Sequence, residues 1–351
     1  MNQLSTYGWN DKLNQLKQES VHKNLSCGRV CVVHRTCYEV ISENGLFQCE
    51  LTGNMMYGKS DFELPCTGDW LIFQPFDDYK GVIVDMLPRE RTLYRKKSGT
   101  IADKQAIASY VDKAFIVQSL DDNFNVRRAE RFMVQILEEH IKPVLILNKA
   151  DLGVDRQKID EAIKHIARQT PVFLTSIHCF ETICRLRESI VESETVVFVG
   201  SSGVGKSSLI NALCEKSVLL TSDISLSTGK GRHTSTRREM VLLDNSGVLI
   251  DTPGIREFGL TVDNPDSLAE MLEISDYAES CRFLDCTHVN ELGCAVLEAI
   301  NNGTLDRKVY ESYLKLRREA WHFSTSEHEK RKKGKSFSKL IDEVKKRKAN
   351  L

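Results

Sequence analysis

The sequence predicts an α/β chain in three parts: a mostly parallel P-loop sheet, an OB-type β-barrel before it, and a helical metal-binding segment after it. Three observations lead there. A glycine-rich loop at 200–207 sits between a strand-like and a helix-like run. Five short apolar runs split by turn residues precede it, and four Cys and His side chains gather within fourteen residues beyond it. Apolar runs alternating with helical segments are the pattern of a covered parallel sheet.

The barrel comes first. Its runs are Arg29–His34, Tyr38–Ser42, Leu46–Leu51, Trp70–Gln74 and Gly81–Met86, broken at Glu43-Asn44-Gly45, Gly53-Asn54 and Gly68-Asp69. Five short strands in about seventy residues fit an OB-type barrel, a fold that often binds nucleic acid. The basic stretch Arg89, Arg91, Arg95, Lys96 and Lys97, interleaved with Tyr94, follows the last run. It either faces phosphates or is a solvated charge run.

The central sheet is expected from strands at 113–119, 143–148, 171–175, 195–199, 239–244 and 247–251. Gly200, Ser201, Ser202, Gly203, Val204, Gly205, Lys206 and Ser207 fit G-x-x-x-x-G-K-S after the apolar run Thr195–Val199, and Ser208 continues into a helix-like run. The glycines allow a tight turn whose N–H groups enclose phosphate oxygens, and the helix N-terminus adds partial positive charge. Lys206 is placed to reach the β- and γ-phosphates, and the Ser207 hydroxyl to take one Mg²⁺ position. A nucleoside triphosphate is the implied ligand.

Asn148-Lys149-Ala150-Asp151 ends the run 143–147, and Thr175-Ser176 ends 171–174. An Asp at such a strand end accepts from guanine N1–H and the exocyclic amine together, a pattern adenine lacks. Asp251-Thr252-Pro253-Gly254 ends 247–250; its carboxylate suits Mg²⁺ through water, and the Gly254 N–H the γ-phosphate. The ligand pair is therefore GTP and GDP. The guanine-reading motifs precede the phosphate loop, so the domain is circularly permuted. Ligands still collect at one edge, because strand carboxyl ends do.

Beyond the switch turn, Cys281, Cys286, His288 and Cys294 are spaced C-x₄-C-x-H-x₅-C. Three thiolates and an imidazole suit a closed tetrahedral Zn²⁺ site, structural because no position stays open. The other eight cysteines, at 27, 31, 37, 49, 66, 179, 184 and 214, are scattered, with Cys27, Cys31 and Cys214 read as small core residues. Residues 304–322 read as a helix with Leu305, Val309, Tyr313 and Leu316 near one face. The tail 330–348 carries ten Lys and Arg against two acids; RNA, an anionic membrane, a helix-binding groove or plain solvation all suit it.

The whole chain has 351 residues and a formal net charge of −1, so its basic character is local. No apolar run is long enough to span a membrane. An odd cysteine count without a signal-peptide pattern predicts free thiols and a cytoplasmic setting. The expected divisions are a barrel with N-terminal extension at 1–100, the permuted GTPase domain at 101–262, a zinc-binding helical domain at 263–325 and a basic tail at 326–351. A monomer without a membrane partner is expected.

These motifs together resemble the small-ribosomal-subunit biogenesis GTPases of the RsgA (YjeQ) family. The likeness rests on the barrel, the permuted order, Gly231-Arg232-His233-Thr234, and the metal motif running into Gly293-Cys294-Ala295-Val296. It implies hydrolysis of GTP to GDP and phosphate stimulated by the small (30S) subunit, contact with 16S rRNA, a role in late subunit maturation, and one zinc per chain. Ile255 stands where many GTPases carry a water-orienting Gln, and the resemblance makes His233 the catalytic candidate; packing or rRNA binding is its other reading. Thr236 is expected to complete the Mg²⁺ shell, with Thr234 the alternative. Leu292 departs from the family's usual proline, and Ile177 from its usual alanine. The competing functional reading is a GTP-gated RNA-binding module whose hydrolysis is incidental.

Overall fold

Apolar runs that would be unstable in water on either face become the centre of the sheet. The computed structural model describes residues 3–57, 59–77, 79–96, 104–153, 156–167, 170–215, 239–244, 247–252 and 274–324. Strands β10 (Val172–Thr175), β9 (Lys142–Asn148), β8 (Lys113–Ser119), β11 (Thr195–Val199) and β13 (Val248–Asp251) lie side by side in that order, all parallel. β12 (Glu239–Leu242) runs antiparallel on β13. Phe115, Val117, Phe198 and Leu249 are fully buried against Ile183 and Leu186 of α5 (Phe180–Glu188) and Leu209 and Ile210 of α6 (Lys206–Leu213). Ala114 and Ile116, on the alternate face of β8, are fully buried as well, as strands covered on both sides must be. Helix α3 (Val126–Glu138) packs on β8 and β9 through an apolar stripe that includes Phe132, Met133 and Ile136. Asn125 caps it by accepting from the Arg128 N–H at 3.0 Å. α4 (Arg156–Ala167) precedes β10.

The five barrel runs become β1 (Ser26–Val33), β2 (Tyr38–Ser42), β3 (Gly45–Leu51), β4 (Trp70–Phe76) and β5 (Lys80–Met86). They pair β1–β2–β3–β5–β4, and β4 returns to β1 to close the barrel. Val30, Val40, Phe47, Leu71, Phe73 and Ile83 fill it. A short helix α2 (Gly53–Met56) follows β3. Pairing of Val32 with Glu239 joins β1 to β12, so barrel and P-loop strands form one eleven-stranded sheet. The permuted P-loop fold with an N-terminal barrel, expected from the motif order, is the fold observed.

Two features were not legible in advance. The N-terminal extension folds into α1 (Asp11–Glu19), capped by Asn10, and sets Trp9 edge-on to Trp70 at 4.9 Å. Arg29 of β1 is 1% exposed and binds four neutral acceptors. Its Nε donates to Gly68 O at 3.0 Å, Nη1 to Tyr7 O and to Thr195 Oγ1 at 2.9 Å, and Nη2 to Tyr110 O. One guanidinium thereby ties the extension and barrel to the lower ends of β8 and β11. Its own pKa is pushed down to about 10 by burial, against the attraction of Asp112.

Three guanidiniums of the basic stretch are engaged within the protein rather than fully solvated. Arg89 pairs with the buried Asp69 at 2.7 Å and donates to the carbonyls of Phe62 and Leu64. Arg91 pairs with Asp112 at 3.0 Å. Arg95, on the ribbon of β6 (Leu93–Lys96) and β7 (Lys104–Ala108), donates to Gln105 Oε1 at 2.8 Å. Carboxylates and carbonyls distant in sequence claim these guanidiniums. Lys97 and the tail 326–351 lie outside the described residues.

Residues 1–95 with 104–258 form one compact unit, and 96–103 with 259–351 another. In the second, α7 (Ser275–Ala278), α8 (Ala295–Asn301) and α9 (Arg307–Ser324) are described. Val309, Tyr313 and Leu316 are buried, as their helical spacing predicts. Leu305 is buried too, although it lies before α9, which begins at Arg307 rather than at 304. Val296 and Ala299 of α8 are buried as well. All eleven cysteines are free thiols; Cys27 and Cys214 are buried as expected, and Cys31 is half-buried.

Replacing Arg29 by Ala strands buried carbonyls in three segments and is expected to destabilise the first unit by about 2–4 kcal/mol. Urea unfolding would show it as a lower midpoint at unchanged slope; an unchanged midpoint would refute the clamp.

Candidate functional site

Strand register brings the expected nucleotide residues to one edge. Ser119, Asn148 and Thr175 are direct neighbours at the carboxyl ends of β8, β9 and β10, and Phe198 is paired with Asp251 at the ends of β11 and β13. Four motifs separated by up to a hundred residues thus reach one edge.

The phosphate loop leaves β11 at Gly200 and enters α6 at Lys206. Gly200 (φ +152°) must be glycine, since a Cβ there would stand 2.4 Å from Val117 O. Gly205 (φ +95°) must be as well, because its Cβ would meet Asn148 Nδ2 at 2.4 Å. That close approach is used: Asn148 Nδ2 donates to Val204 O at 2.9 Å, while Asn148 Oδ1 accepts from Thr175 Oγ1 at 3.1 Å. Lys149, held in the left-handed region at φ +62°, donates to Gly203 O at 3.0 Å and to Asp121 Oδ2 at 2.8 Å. The segment expected to read the base is therefore bonded to the one expected to bind phosphates.

Charge at the site follows from burial and neighbours. Lys206 Nζ donates to Gly200 O at 2.9 Å and Ser201 O at 3.1 Å, and burial pushes its pKa down to about 8 against the pull of Asp251. Ser207 Oγ donates to Asp251 Oδ2 at 3.2 Å. Burial raises the Asp251 carboxyl, opposed by Lys206, Ser207 and the Thr252 N–H. Asp251 Oδ1 is buried without a hydrogen-bond partner among the described residues. A hydroxyl and a carboxylate side by side, with one oxygen left unbonded, are a donor set that fits a hard cation such as Mg²⁺. At the other end, Asp151 is exposed and Ser176 is 3% exposed. The Ser176 hydroxyl bond is the main cause holding the Asp151 carboxyl below its usual range.

Of the expected nucleotide residues, Asn148, Lys149, Asp151, Thr175, Ser176, residues 200–208 and Asp251 are described and lie along this edge. His233, Thr234, Thr236 and Gly254 lie outside the described residues. Sequence reasoning missed Asp121 and Arg128. Burial would raise the Asp121 carboxyl, but bonds from Lys149, Ser119 and the Asn123 N–H overcome it. Its only sequence signal was an Asp two residues past the end of the 113–119 strand.

The expected metal ligands do come together in the second unit. The ligand atoms of Cys281, Cys286, His288 and Cys294 all lie within 4.8 Å of one another. Cys281 Sγ is 3.9 Å from Cys294 Sγ, and His288 Nδ1 is 3.6 and 3.5 Å from those two sulfurs. A tetrahedron with metal–sulfur bonds of about 2.3 Å has edges of about 3.8 Å, so the group fits one metal ion. Burial and the neighbouring thiols push Cys294 up to about 12, a repulsion that a divalent cation would relieve. Glu291 shapes the loop by accepting from the N–H groups of Thr287, Val289 and Asn290 and from the Thr287 hydroxyl; its own carboxyl is held at about 2, chiefly by the Thr287 hydroxyl. Tyr310 and Arg317 of α9 donate to the carbonyls of His288 and Thr287.

Comparisons with known proteins agree with this geometry. A profile of the RsgA GTPase family matches residues 86–261. The chain is 77% identical over 350 residues to the Bacteroides thetaiotaomicron protein named small ribosomal subunit biogenesis GTPase RsgA 1, covering 100% of this chain and 99% of that one. It is 37% identical to a Listeria monocytogenes protein named small ribosomal subunit biogenesis GTPase RsgA 2, over 91% of this chain and 90% of the other. Among solved structures, YjeQ from Thermotoga maritima superposes with a TM-score of 0.64 at 25% identity, covering 84% of this chain and 98% of that one. YloQ, titled a circularly permuted GTPase, has a TM-score of 0.60 at 23% identity, covering 88% and 99%, and shares the fold.

Two outcomes are expected. Phosphate binding should raise the Lys206 pKa from about 8, so GDP affinity falls as pH rises above that value, by up to about tenfold per unit. Calorimetric titration at pH 8.5 in buffers of different ionisation enthalpy should show proton uptake; none would contradict the placement of Lys206. Glu291→Ala should weaken metal retention, probed with added Zn²⁺, by about 10- to 100-fold in a chelator competition, and unchanged retention would count against its role.

Proposed function

The chain belongs to the RsgA GTPase family, and from that premise we propose that it hydrolyses GTP in the biogenesis of the small ribosomal subunit. The observation that carries the reading is the bonded junction of Asn148 and Lys149 to the phosphate loop. Through it, occupancy by guanine and by phosphates is one event.

The assignment of roles is as follows. Asp151 accepts from the guanine N1–H and exocyclic amine, with Thr175 and Ser176 beside it and the Lys149 stem along the base. The amides of 200–208 and the Lys206 ammonium hold the phosphates. Ser207, Asp251 and Thr236 would hold Mg²⁺, which would supply positive charge against the phosphate oxygens. The Gly254 N–H senses the γ-phosphate, and His233 orients or deprotonates the attacking water. Ile255 offers no hydrogen bond for that task, which accounts for dependence on an activating partner.

Cys281, Cys286, His288 and Cys294 would hold a structural Zn²⁺, which would cross-link their loop. The barrel at 1–100 and the zinc-binding segment at 263–325 flank the GTPase domain at 101–262 and, with the tail 326–351, contact 16S rRNA on the 30S subunit late in its maturation. The protein acts as a cytoplasmic monomer. No helix among the described residues is long and apolar enough to cross a membrane.

Purified protein loaded with Zn²⁺ should hydrolyse GTP slowly, and small subunits should accelerate it severalfold or more. Phosphate release measured with small subunits, large subunits and neither decides the matter. Acceleration by large subunits alone would overturn the proposal.

A further inference from the structure

Among the described residues, four side chains donate hydrogen bonds to the phosphate loop. Three belong to recognised motifs: Asn148 on Val204 O, Lys149 on Gly203 O, and Lys206 on Gly200 O and Ser201 O. The fourth is Arg128, in the first turn of α3, whose Nη1 donates to Ser201 Oγ at 2.9 Å and to Asn123 O at 3.3 Å. The other three all grip the loop backbone, so Arg128 alone holds the Ser201 side chain.

Two properties make this contact more than incidental. First, Arg128 stands on a rigid base. Asn125 caps α3 by accepting the Arg128 N–H itself, and α3 is packed on β8 and β9. Second, Arg128 has no carboxylate partner among the described residues. The nearby Asp121 is engaged by Lys149, by the Ser119 hydroxyl at 2.6 Å and by the Asn123 N–H at 2.9 Å. A guanidinium with only neutral acceptors keeps its charge for the loop it touches, and a charged donor makes the stronger bond.

We propose that Arg128 is a positioning residue for the phosphate loop, fixing its Ser201 side and adding a positive charge there that favours guanosine di- and triphosphate alike. The inference rests on the reading of 200–207 as the loop that binds GTP. Because the loop encloses phosphates shared by both nucleotides, the contribution is uniform. It lowers KM and leaves kcat unchanged, since KM follows Kd when hydrolysis is slow.

The test compares wild type with Arg128→Ala, Arg128→Lys, Ser201→Ala and the double variant Arg128→Ala/Ser201→Ala in the full chain. The readouts are Kd for a fluorescent GDP and for a non-hydrolysable GTP analogue, KM and kcat for GTP, and melting without nucleotide. Arg128→Ala is expected to raise Kd for both nucleotides, and KM, by about three- to tenfold, with kcat within about twofold. The double variant should be no worse than Arg128→Ala alone, because one bond is lost in either case. Arg128→Lys should recover part of the affinity by keeping the charge.

Wild-type affinity in Arg128→Ala, or losses that multiply in the double variant, would overturn the inference. Should Arg128→Ala fail to fold, Ser201→Ala leaves α3 intact and decides alone: unchanged affinity overturns the proposal. A parallel Lys206→Ala variant separates the two readings. If it binds nucleotide normally, the loop assignment itself fails; if it loses binding while Arg128→Ala does not, only the role of Arg128 falls.

Discussion

The carboxamide of Asn148 is the interaction on which the rest of the nucleotide edge depends. It donates to Val204 O in the phosphate loop and accepts from Thr175 at the end of the neighbouring strand. An amide is suited to this because it carries a donor and an acceptor on one rigid plane. A carboxylate there would repel the carbonyl, and an apolar residue would leave Val204 O and Thr175 unpaired in a buried site. The absence of a Cβ at Gly205 lets the two segments approach closely enough for the bond to form.

The permuted chain order does not disturb this arrangement, because parallel strands bring their carboxyl ends together whatever the sequence of connections. It does change what is attached to the sheet. β12 follows residues 231–238 in sequence and pairs through Glu239 with Val32 of the barrel. Arg29, three residues before Val32, is bonded to Thr195, which starts the strand that ends at the phosphate loop. Among the described residues the barrel thus meets the P-loop sheet along an edge strand and beneath the sheet. Both joints carry hydrogen bonds, and beneath the sheet Tyr110 also shares an apolar cluster with Trp70 and Cys27, which suits an element that must keep a defined direction relative to the nucleotide edge.

Clustered residues were legible and dispersed ones were not. The four metal ligands fall within fourteen residues, so their spacing alone predicted a group that does converge within 4.8 Å. The basic stretch at 89–97 was misleading for the opposite reason. Its guanidiniums look solvated in sequence, but Asp69, Asp112 and Gln105, up to twenty-one residues away, claim Arg89, Arg91 and Arg95. A run of charge says nothing about which carboxylates the fold will bring to it.

The sequence by itself determined the fold class, the permuted order of the motifs at 148–151, 200–207 and 251–254, and the Cys and His group that converges. Each of these is a local pattern: a turn that needs glycine, an apolar run that needs burial, or ligands within reach of one loop. Only the tertiary structure decided that Asn148 and Lys149 brace the phosphate loop, that Asp121 and Arg128 belong to its surroundings, and that Arg29 joins the barrel to the sheet. These are single polar side chains meeting partners across long stretches of chain. A lone Arg or Asp has no periodicity or spacing to betray its partner, because a hydrogen bond is specified by distance and direction in space, and those exist only once the strands are in register.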